Sequence, residues 1–315
     1  MEVIASASGR KRVGMIGVGL MGHGIAANIV GKGWPLSVLE HAGNQPLDDL
    51  LAAGARTCAT PAQLAARSDI VVLCVSGTPQ VEAVLLGEGG VLQGLAAGSV
   101  VIDCSTAVPA STEKLAAAVE QAGSRFLDAA MTRTPKEAAE GRLNLLVGAD
   151  ASLLAEVRPL LECFAENIFH AGPPGAGHRM KLLHNFVSLG TVALMSEAAA
   201  CAQRAGIDPA VFVDVLGKGG GGGAALERLK PYLLGGETAQ MKFSIANAAK
   251  DLGYYNTMAD NGGAAHGIAA AVGATLDALA AAGLGTSFLP ELPALLLRDG
   301  EPQAQVSAVA KRRIA

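Results

Sequence analysis

Four polar side chains share one face of a predicted helix in the stretch GPPGAGHRMKLLHNFVSLG. Lys181 and Asn185 stand at i and i+4, with His184 and Ser188 at i+3 and i+7, so all four project from the same side. Polar helix faces are most often solvated. A lysine that is half desolvated, however, has its pKa lowered toward neutrality and can act as a general acid or base. Lys181 is therefore a candidate proton donor and acceptor.

Three glycines in the stretch VGMIGVGLMGHGIAANIV have the spacing GxGxxG. Gly17, Gly19 and Gly22 follow a predicted strand directly and open a predicted helix, which is the context that pyrophosphate binding at a helix N-terminus requires. Glu40 ends the next predicted strand, 18 residues after Gly22, where a carboxylate accepts from a ribose 2′-hydroxyl. An acid there repels a 2′-phosphate, so we expect NAD. His41 leaves NADP open, because an imidazolium tolerates a phosphate.

An arginine lies between two threonines in RFLDAAMTRTPKEAAEGRLNLLVG, where a predicted buried strand ends. A guanidinium binds a carboxylate, sulfonate or phosphate through two parallel hydrogen bonds. We therefore expect a small anionic substrate, with Arg133, Thr134, His184 and Ser188 around its acid group. The alternative is a structural ion pair between Arg133 and Glu137, four residues on.

The elements that position these residues change character along the chain. From Arg12 to about Gly172, helical stretches alternate with the strand candidates VGMIG, PLSVLE, DIVVLCV, SVVIDCS, RFLDAA, LNLLVG and NIFHAG. This alternation predicts an α/β fold with a doubly wound, mostly parallel sheet of the Rossmann type. After Pro173 and Pro174 only helical periodicity remains, over 175–205, 208–216, 224–233, 244–260, 265–282 and 289–297. We place a dinucleotide-binding domain at 1–172 and a helical substrate and oligomerisation domain at 173–315, and we expect the polar tail from Arg298 to fray.

Composition argues against several other classes of protein. The net charge is −4 and aromatic residues make up 3% of the chain, so we expect no nucleic-acid partner. Met1 to Arg12 lacks the apolar core of a signal peptide, and no run of 18 apolar residues occurs, so we expect a cytoplasmic protein without a membrane span. The six histidines lack paired-ligand spacing, so we expect no metal.

Five segments resemble, in order, the successive motifs of the β-hydroxyacid dehydrogenases. They are GVGLMGHGIAANI, DCST, DAAMT with EGRL, GPPGAGHRMKLLHN and KDLGYY. That group includes 3-hydroxyisobutyrate dehydrogenase and tartronate semialdehyde reductase, and the match spans roughly residues 12–297. The resemblance implies a Rossmann-type domain joined by a long helix to an all-helical domain, in a homodimer or homotetramer.

The resemblance also implies roles for single positions. Lys181 would be the catalytic acid/base, Asn185 would hold the substrate or the lysine, and the Thr132 hydroxyl would meet the substrate carboxylate. The residues that would contact the dinucleotide are Val18, Leu20 and Met21 of the glycine loop, then Val75, Ser76, Thr106 and Lys250. The implied reaction is NAD(P)-dependent hydride transfer that interconverts a small anionic 3-hydroxy acid, or a similar alcohol, and its semialdehyde.

One segment departs from the family pattern. Common members read Asp-Ala-Pro-Val-Ser-Gly-Gly where this chain runs from Asp128 to Thr134, so Arg-Thr replaces Gly-Gly. The sulfolactaldehyde reductases are similar to this chain in carrying Arg-Thr here, where the arginine helps to bind the sulfonate, but they have glycine at position 132. His184 also stands where an asparagine is expected. The substrate therefore stays open.

Two other functions are alternatives to a hydroxyacid dehydrogenase. Imine reductases share the implied architecture but generally lack the lysine at 181. A cofactor-binding protein of assembly or sensing need not keep Lys181, Asn185 and Lys250 together, as this chain does. The glycine run Gly219 to Gly223, which follows Lys218, is predicted either to close over the substrate or to be a flexible linker.

Overall fold

The structure is a computed structural model that describes residues 9–297. The predictions for the first eight residues and for the tail from Arg298 lie outside the described residues. The chain divides into two compact units, of which the first ends at Lys181 and the second begins at Leu182. The domain boundary after residue 172 marks a different feature, the end of the last strand, and it stays a prediction.

The first unit is built on one eight-stranded sheet in the order β3-β2-β1-β4-β5-β6-β7-β8. Every neighbouring pair is parallel except β6 and β7, which confirms the predicted Rossmann-type sheet. The prediction missed β3, because three residues with one buried side chain carry no periodicity. The strands are β1 Val13–Ile16, β2 Leu36–Leu39, β3 Arg56–Cys58, β4 Ile70–Leu73, β5 Val100–Asp103, β6 Arg125–Thr132, β7 Leu143–Gly148 and β8 Ala165–Gly172.

Helices cover both faces of the sheet. Successive residues of a strand enter opposite cores: in β4, Ile70 and Val72 join one buried cluster, while Val71 and Leu73 join the other. This explains the continuous apolar runs in the sequence, since strands buried on both faces do not alternate with polar residues. The helices are α1 Leu20–Gly31, α2 Asp48–Ala52, α3 Pro61–Ala66, α4 Thr78–Leu86, α5 Pro109–Gln121, α6 Pro135–Ala139 and α7 Ala151–Leu161.

The second unit is helical. Its strand pairing is limited, in the described residues, to one isolated bridge between Ser244 and Phe288. In the segment predicted as a helix over 265–282, the α-helix ends at residue 279. A π turn follows, in which Gly283 has φ of +82°. The predicted helix at 289–297 divides into a 3-10 turn, Leu289–Glu291, and a short helix. The helices are α8 Ala176–Arg204, which begins in the first unit, α9 Pro209–Lys218, α10 Ala224–Gly235, α11 Ile245–Asn261, α12 Gly267–Leu279 and α13 Leu292–Leu296.

Two helical stretches, Ala176–Arg204 and Gly267–Leu284, have the length and hydropathy of a membrane span. Half of the apolar window in α8 and a third of that in the second stretch are buried inside the structure. Core helices of globular proteins meet the same criteria, so length and composition assign neither stretch to a membrane.

Candidate active site

Most of the predicted cofactor residues follow the carboxyl ends of neighbouring parallel strands. The glycine loop follows β1, Glu40 follows β2, Val75 and Ser76 follow β4, and Thr106 follows β5. Because β2, β1, β4 and β5 are adjacent and parallel, these residues lie along one edge of the sheet, where doubly wound folds bind ligands. Lys250 lies on α11 in the second unit.

The three loop glycines meet different constraints. Gly17 has φ of +90°, and a Cβ there would overlap the carbonyl oxygen of Cys74. A Cβ on Gly22 would overlap the carbonyl oxygen of Gly17, so this glycine permits close packing of helix on strand. Gly19 is different, because a Cβ there would meet no atom of the chain. Gly19 is also the N-cap of α1, whose first turn holds no acidic residue. This end of the helix therefore suits a pyrophosphate.

Asn44, which the sequence analysis missed, holds the glycine loop against β2. Its Oδ1 accepts from the Val18 N–H at 3.2 Å, and its Nδ2 donates to the Leu39 carbonyl at 2.8 Å. The Gln45 N–H donates to the Val18 carbonyl at 2.8 Å. Val18 is therefore buried with both backbone groups bonded inside the chain, whereas Leu20 is 70% exposed at the edge where a cofactor would lie.

Glu40 lines a shallow pocket beyond the end of β2. The next residue, His41, accepts a hydrogen bond from the Gly43 N–H at its Nδ1, at 2.9 Å. Glu40 thus brings a carboxylate to this pocket. The pocket is lined by Glu40, His41, Ala42, Asn44, Gln45, Pro46, Leu47, Leu51 and Thr57.

Thr132 is the last residue of β6 and ends a polar ladder across three strands. Asn167 on β8 donates to Asn144 Oδ1 at 2.9 Å, and Asn144 on β7 donates to Thr132 Oγ1 at 3.1 Å. A hydroxyl that already accepts from an amide keeps its proton as a donor. The ladder therefore leaves the proton of the Thr132 hydroxyl available for donation.

Arg133 lies just beyond β6 in a left-handed backbone conformation. Its φ is +82°, and among the described residues it is the one non-glycine with positive φ. Its Nη1 donates to the Arg142 carbonyl and to Glu166 at the start of β8. The alternative pairing of Arg133 with Glu137 is therefore wrong. Glu137 instead accepts from the Thr134 hydroxyl at 2.6 Å.

Thr134 and Glu137 form the start of α6. The Thr134 N–H also donates to Glu137, at 3.0 Å. These bonds, the hydroxyl bond first, hold the pKa of Glu137 below its usual range. The Thr134 hydroxyl thus gives its proton to the protein in this structure, and its contact with a substrate anion stays a prediction.

The first turn of α8 is attached to the sheet through Asp128 on β6. Asp128 accepts from the N–H groups of Gly175 at 2.6 Å and His178 at 2.7 Å. Burial raises the pKa of this carboxyl. A Cβ on Gly177 would overlap the Leu146 carbonyl oxygen, so the motif glycine permits the close approach of helix and sheet. This attachment places the turn that carries Lys181, which is half-buried.

In the second unit, Asn185 is held from both ends of its amide. Its Nδ2 donates to Asp251 at 2.6 Å, and its Oδ1 lies 3.0 Å from His184 Nδ1. Asn185 and Asp251 are buried. The Lys250 ammonium lies 3.3 Å from the other Asp251 oxygen and 5.6 Å from the centre of the Tyr254 ring. Asp251 therefore links Asn185 and Lys250, although the sequence analysis assigned it no role.

The remaining predicted residues have simpler surroundings. His184 is exposed and turned toward Asn185, and Ser188 is half-buried one turn further along α8. Lys218 ends α9 and pairs with Asp214 at 2.7 Å, before the glycine run that leads into α10. In the part of the chain that the structure describes, no three His, Cys, Asp or Glu side chains gather in a metal-binding group.

Comparison with known proteins places this geometry in a family. A family model described as the NAD binding domain of 6-phosphogluconate dehydrogenase matches residues 12–172, and one described as NAD-binding of NADP-dependent 3-hydroxyisobutyrate dehydrogenase matches residues 175–288. The NAD-dependent L-serine dehydrogenase of Pseudomonas aeruginosa is 34% identical over 70% of this chain and 74% of that relative. The 3-sulfolactaldehyde reductase of Escherichia coli is 33% identical over 76% and 80%.

The chain belongs to the β-hydroxyacid dehydrogenase family. Among solved structures, 3-hydroxyisobutyrate dehydrogenase of Mycobacterium tuberculosis, determined with L-serine, has a TM-score of 0.82 and 25% identity, covering 91% of this chain and 99% of that one. Imine reductases are similar at 17–22% identity, a likeness of fold alone. This β-hydroxyacid dehydrogenase is thus an NAD(P)-dependent oxidoreductase acting on CH–OH groups.

Proposed function

We propose that this dehydrogenase interconverts a small anionic hydroxy acid, or a similar alcohol, and its aldehyde, with Lys181 as general acid/base. The observation that carries the proposal is the construction of α8. Lys181 and Asn185 stand one turn apart on this helix, whose start is bonded to Asp128 and whose Asn185 is bonded to Asp251. The nicotinamide cofactor carries the hydride, and the chain has to supply the proton and the orientation.

The proton step follows from the position of Lys181. In reduction, the ammonium gives its proton to the forming alkoxide, and in oxidation the amine takes the alcohol proton. Asn185 keeps one N–H beyond the bond to Asp251, and this N–H is suited to hold the substrate hydroxyl. Asp251 prevents the amide from turning, so we propose that it positions Asn185 and, through its second oxygen, Lys250.

The acid group of the substrate is proposed to meet Thr132 and Arg133. Thr132 offers the hydroxyl proton that its bond from Asn144 leaves available, and the Arg133 guanidinium exchanges Glu166 for the substrate anion. The L-serine dehydrogenase and the 3-sulfolactaldehyde reductase are both named for small molecules that carry an acid group, which supports an anionic substrate here. We propose that His184 and Ser188 also contact the acid group of the substrate.

We propose NAD rather than NADP as the preferred cofactor. Glu40 is exposed at the end of β2, and a carboxylate repels a 2′-phosphate by roughly 1 to 4 kcal/mol at 4 Å, depending on the local dielectric. The residues proposed to contact the cofactor are those of the glycine loop, Val75, Ser76, Thr106 and Lys250.

A spectrophotometric screen at 340 nm tests the function. It crosses NADH and NADPH with small aldehydes and hydroxy acids that carry a carboxylate, a sulfonate, a phosphate or no anion, and it includes cyclic imines. We expect turnover of an anionic aldehyde with NADH, which Lys181→Ala abolishes and Lys114→Ala, an exposed lysine on α5, leaves intact. Turnover of imines alone favours an imine reductase. NADH binding without any turnover favours an assembly or sensing protein.

The role of Arg133 has its own test. A hydrogen bond to a charged group contributes about 1.5 to 3 kcal/mol, so for the loss of one such bond we expect Arg133→Gly to lower kcat/KM about 10- to 150-fold on anionic substrates and little on neutral isosteres. Glu166→Gln removes the competing carboxylate and is expected to lower KM for the anionic substrates. Equal losses on both substrate classes leave the arginine without a role in recognition.

We also propose that the enzyme is a homodimer or homotetramer of the cytoplasm, without nucleic-acid or membrane partners. Leu183, Val187 and Leu194 leave a stripe on α8 that is 43%, 66% and 70% exposed, at the heptad spacing of a helix–helix contact. Val187→Lys is expected to shift the mass measured by light scattering toward the monomer. Val215→Lys, a similarly exposed valine on α9, is the matched control.

A further inference from the structure

We infer that His178 is a positioning residue for the reaction, because it ties the loop after β5 to the helical turn that carries Lys181. The inference rests on the proposed role of Lys181. His178 is fully buried, and the residues that it contacts belong, like His178 itself, to the first unit.

Both ring nitrogens of His178 have a hydrogen-bond partner. Nε2 lies 3.1 Å from the Ser105 carbonyl oxygen, which can only accept, so Nε2 carries a proton and donates. Nδ1 lies 2.7 Å from Thr112 Oγ1, a hydroxyl that is also bonded to the Val108 carbonyl at 3.3 Å. Each ring nitrogen therefore has one directed bond, and the imidazole has no rotational freedom.

One end of this connection is the cofactor edge. Ser105 accepts from the Val75 N–H at its Oγ, at 3.0 Å, and its own N–H donates to Asp103 at 2.9 Å. The next residue is Thr106. The carbonyl that accepts a hydrogen bond from His178 Nε2 thus belongs to Ser105. This residue joins the loops after β4 and β5, where the dinucleotide is proposed to lie.

The other end is the proton donor. The backbone N–H of His178 donates to Asp128 at 2.7 Å, a bond that does not involve the imidazole, and Lys181 follows three residues later on the same face of α8. A second attachment of this turn, the ion pair between Arg179 and Glu113, is about half exposed on both sides, so it constrains the helix weakly. The buried histidine is therefore the stronger link between cofactor loop and lysine.

Two buried carboxylates explain why a histidine suits this position. Asp103 Oδ2 and Asp128 Oδ2 lie 3.9 Å from Nε2 and Nδ1 respectively, and Asp103 Oδ2 has no hydrogen-bond partner among the described residues. An apolar side chain would leave the Ser105 carbonyl without the His178 donor, and the Thr112 hydroxyl with only the Val108 carbonyl as partner, at 3.3 Å. A glutamine retains one amide donor that can reach the Ser105 carbonyl.

The experiment compares His178→Ala, His178→Gln and the control Arg179→Ala, each assayed well below its melting temperature. A displacement of about 1 Å in a catalytic group can cost roughly 100-fold in rate. We expect His178→Ala to lower kcat about 10- to 100-fold, to weaken NADH binding several-fold, and to raise the primary isotope effect measured with NADH deuterated at C4. His178→Gln is expected to recover most of the rate, and Arg179→Ala to retain it.

A histidine that only stabilises the core gives a different result. His178→Ala would then melt at a lower temperature with kcat and isotope effect unchanged, which overturns the inference. If His178→Ala does not fold, Thr112→Val removes one ring bond at constant volume, and an unchanged isotope effect in that variant is equally decisive. Full activity of Lys181→Ala refutes the proposed function instead, whereas an inactive Lys181→Ala beside a fully active His178→Ala refutes this inference alone.

Discussion

The three glycines of the nucleotide loop should separate stability from cofactor binding. Alanine at position 17 or 22 places a methyl group where the chain already has a carbonyl oxygen, from Cys74 or from Gly17 respectively. Alanine at position 19 meets no atom of the chain. The fold therefore explains the first two glycines by steric overlap, whereas for the third it offers only the modest preference for glycine over alanine at an N-cap.

The magnitudes follow from these positions. At φ of +90°, Gly17→Ala pays about 1 to 2 kcal/mol for left-handed backbone, and in both variants the overlap adds about 1 to 3 kcal/mol. In Gly19→Ala, alanine is the poorer N-cap, by up to about 1 kcal/mol. Alanine also restricts the unfolded chain more than glycine does, which stabilises the folded state by about 0.4 to 1 kcal/mol. The net change in the free energy of unfolding for Gly19→Ala should thus stay within about 1 kcal/mol.

Gly19→Ala, which should change stability least, should weaken NADH binding most directly. A methyl group on residue 19 holds the pyrophosphate away from the N–H groups of α1, and losing charge-assisted bonds costs about 1.5 to 3 kcal/mol, which is about 10- to 150-fold in Kd. The assay pairs urea unfolding with NADH fluorescence titration on the same preparations. A Gly19→Ala variant that is stable and binds NADH as tightly as the parent would falsify the placement of the pyrophosphate at this helix end.

Three further predictions concern charge, thiol chemistry and strain. Hydrogen bonds from Arg125 and Lys11 lower the pKa of Glu156 from 4.5 to about 2. The ionised Glu156 should stabilise the folded state by at most about 1 kcal/mol, since the group is screened by solvent. This stabilisation should be present above pH 4.5 and lost toward pH 2, so an effect of Glu156→Gln on the free energy of unfolding that does not change with pH contradicts it. Burial raises the pKa of Cys74 to about 12, so iodoacetamide at about pH 8 should spare this thiol until the protein unfolds; mass spectrometry checks this. Arg133→Gly should change the free energy of unfolding by less than about 1 kcal/mol, since relief of φ offsets an exposed ion pair, and a loss of several kcal/mol would make the arginine structural.

The sheet and the long helix were predictable because their signals are repeated along the sequence. Buried parallel strands are continuous apolar runs, and each is followed by a helix of its own, so the alternation identifies the fold even where single boundaries are imprecise. The helix predicted at 175–205 is observed as Ala176–Arg204, because nearly thirty residues of one periodicity average out local exceptions. β3 was not predictable, since it is a strand only by its pairing with β2.

The residues that hold the candidate site in place were not predictable from local pattern. Asn44, Asn144 and Asp251 are single polar residues whose partners are 26, 12 and 66 positions away. Their roles depend on which strands and helices become neighbours, and a local sequence window contains no such information. Asp251 had one usable signal, its place beside Lys250 in KDLGYY. The alternative weighed for Arg133, an ion pair with Glu137, fails for the same reason: Glu137 is near in sequence, but Glu166, 33 residues away, is near in space.

Gly19 and Arg133 point to ligands by the same reasoning. At position 19 the fold has room for a side chain and the chain has none. At position 133 the backbone has the left-handed conformation that suits glycine, and the chain carries an arginine at a cost of about 1 to 2 kcal/mol. The ion pair of Arg133 with Glu166, whose side chains are 26% and 45% exposed, is worth too little to offset that cost with any margin. Strain that the fold does not require is typical of functional sites. A pyrophosphate in the space at position 19 and a substrate acid group at the cation of position 133 would give both anomalies a common explanation in the reaction proposed here.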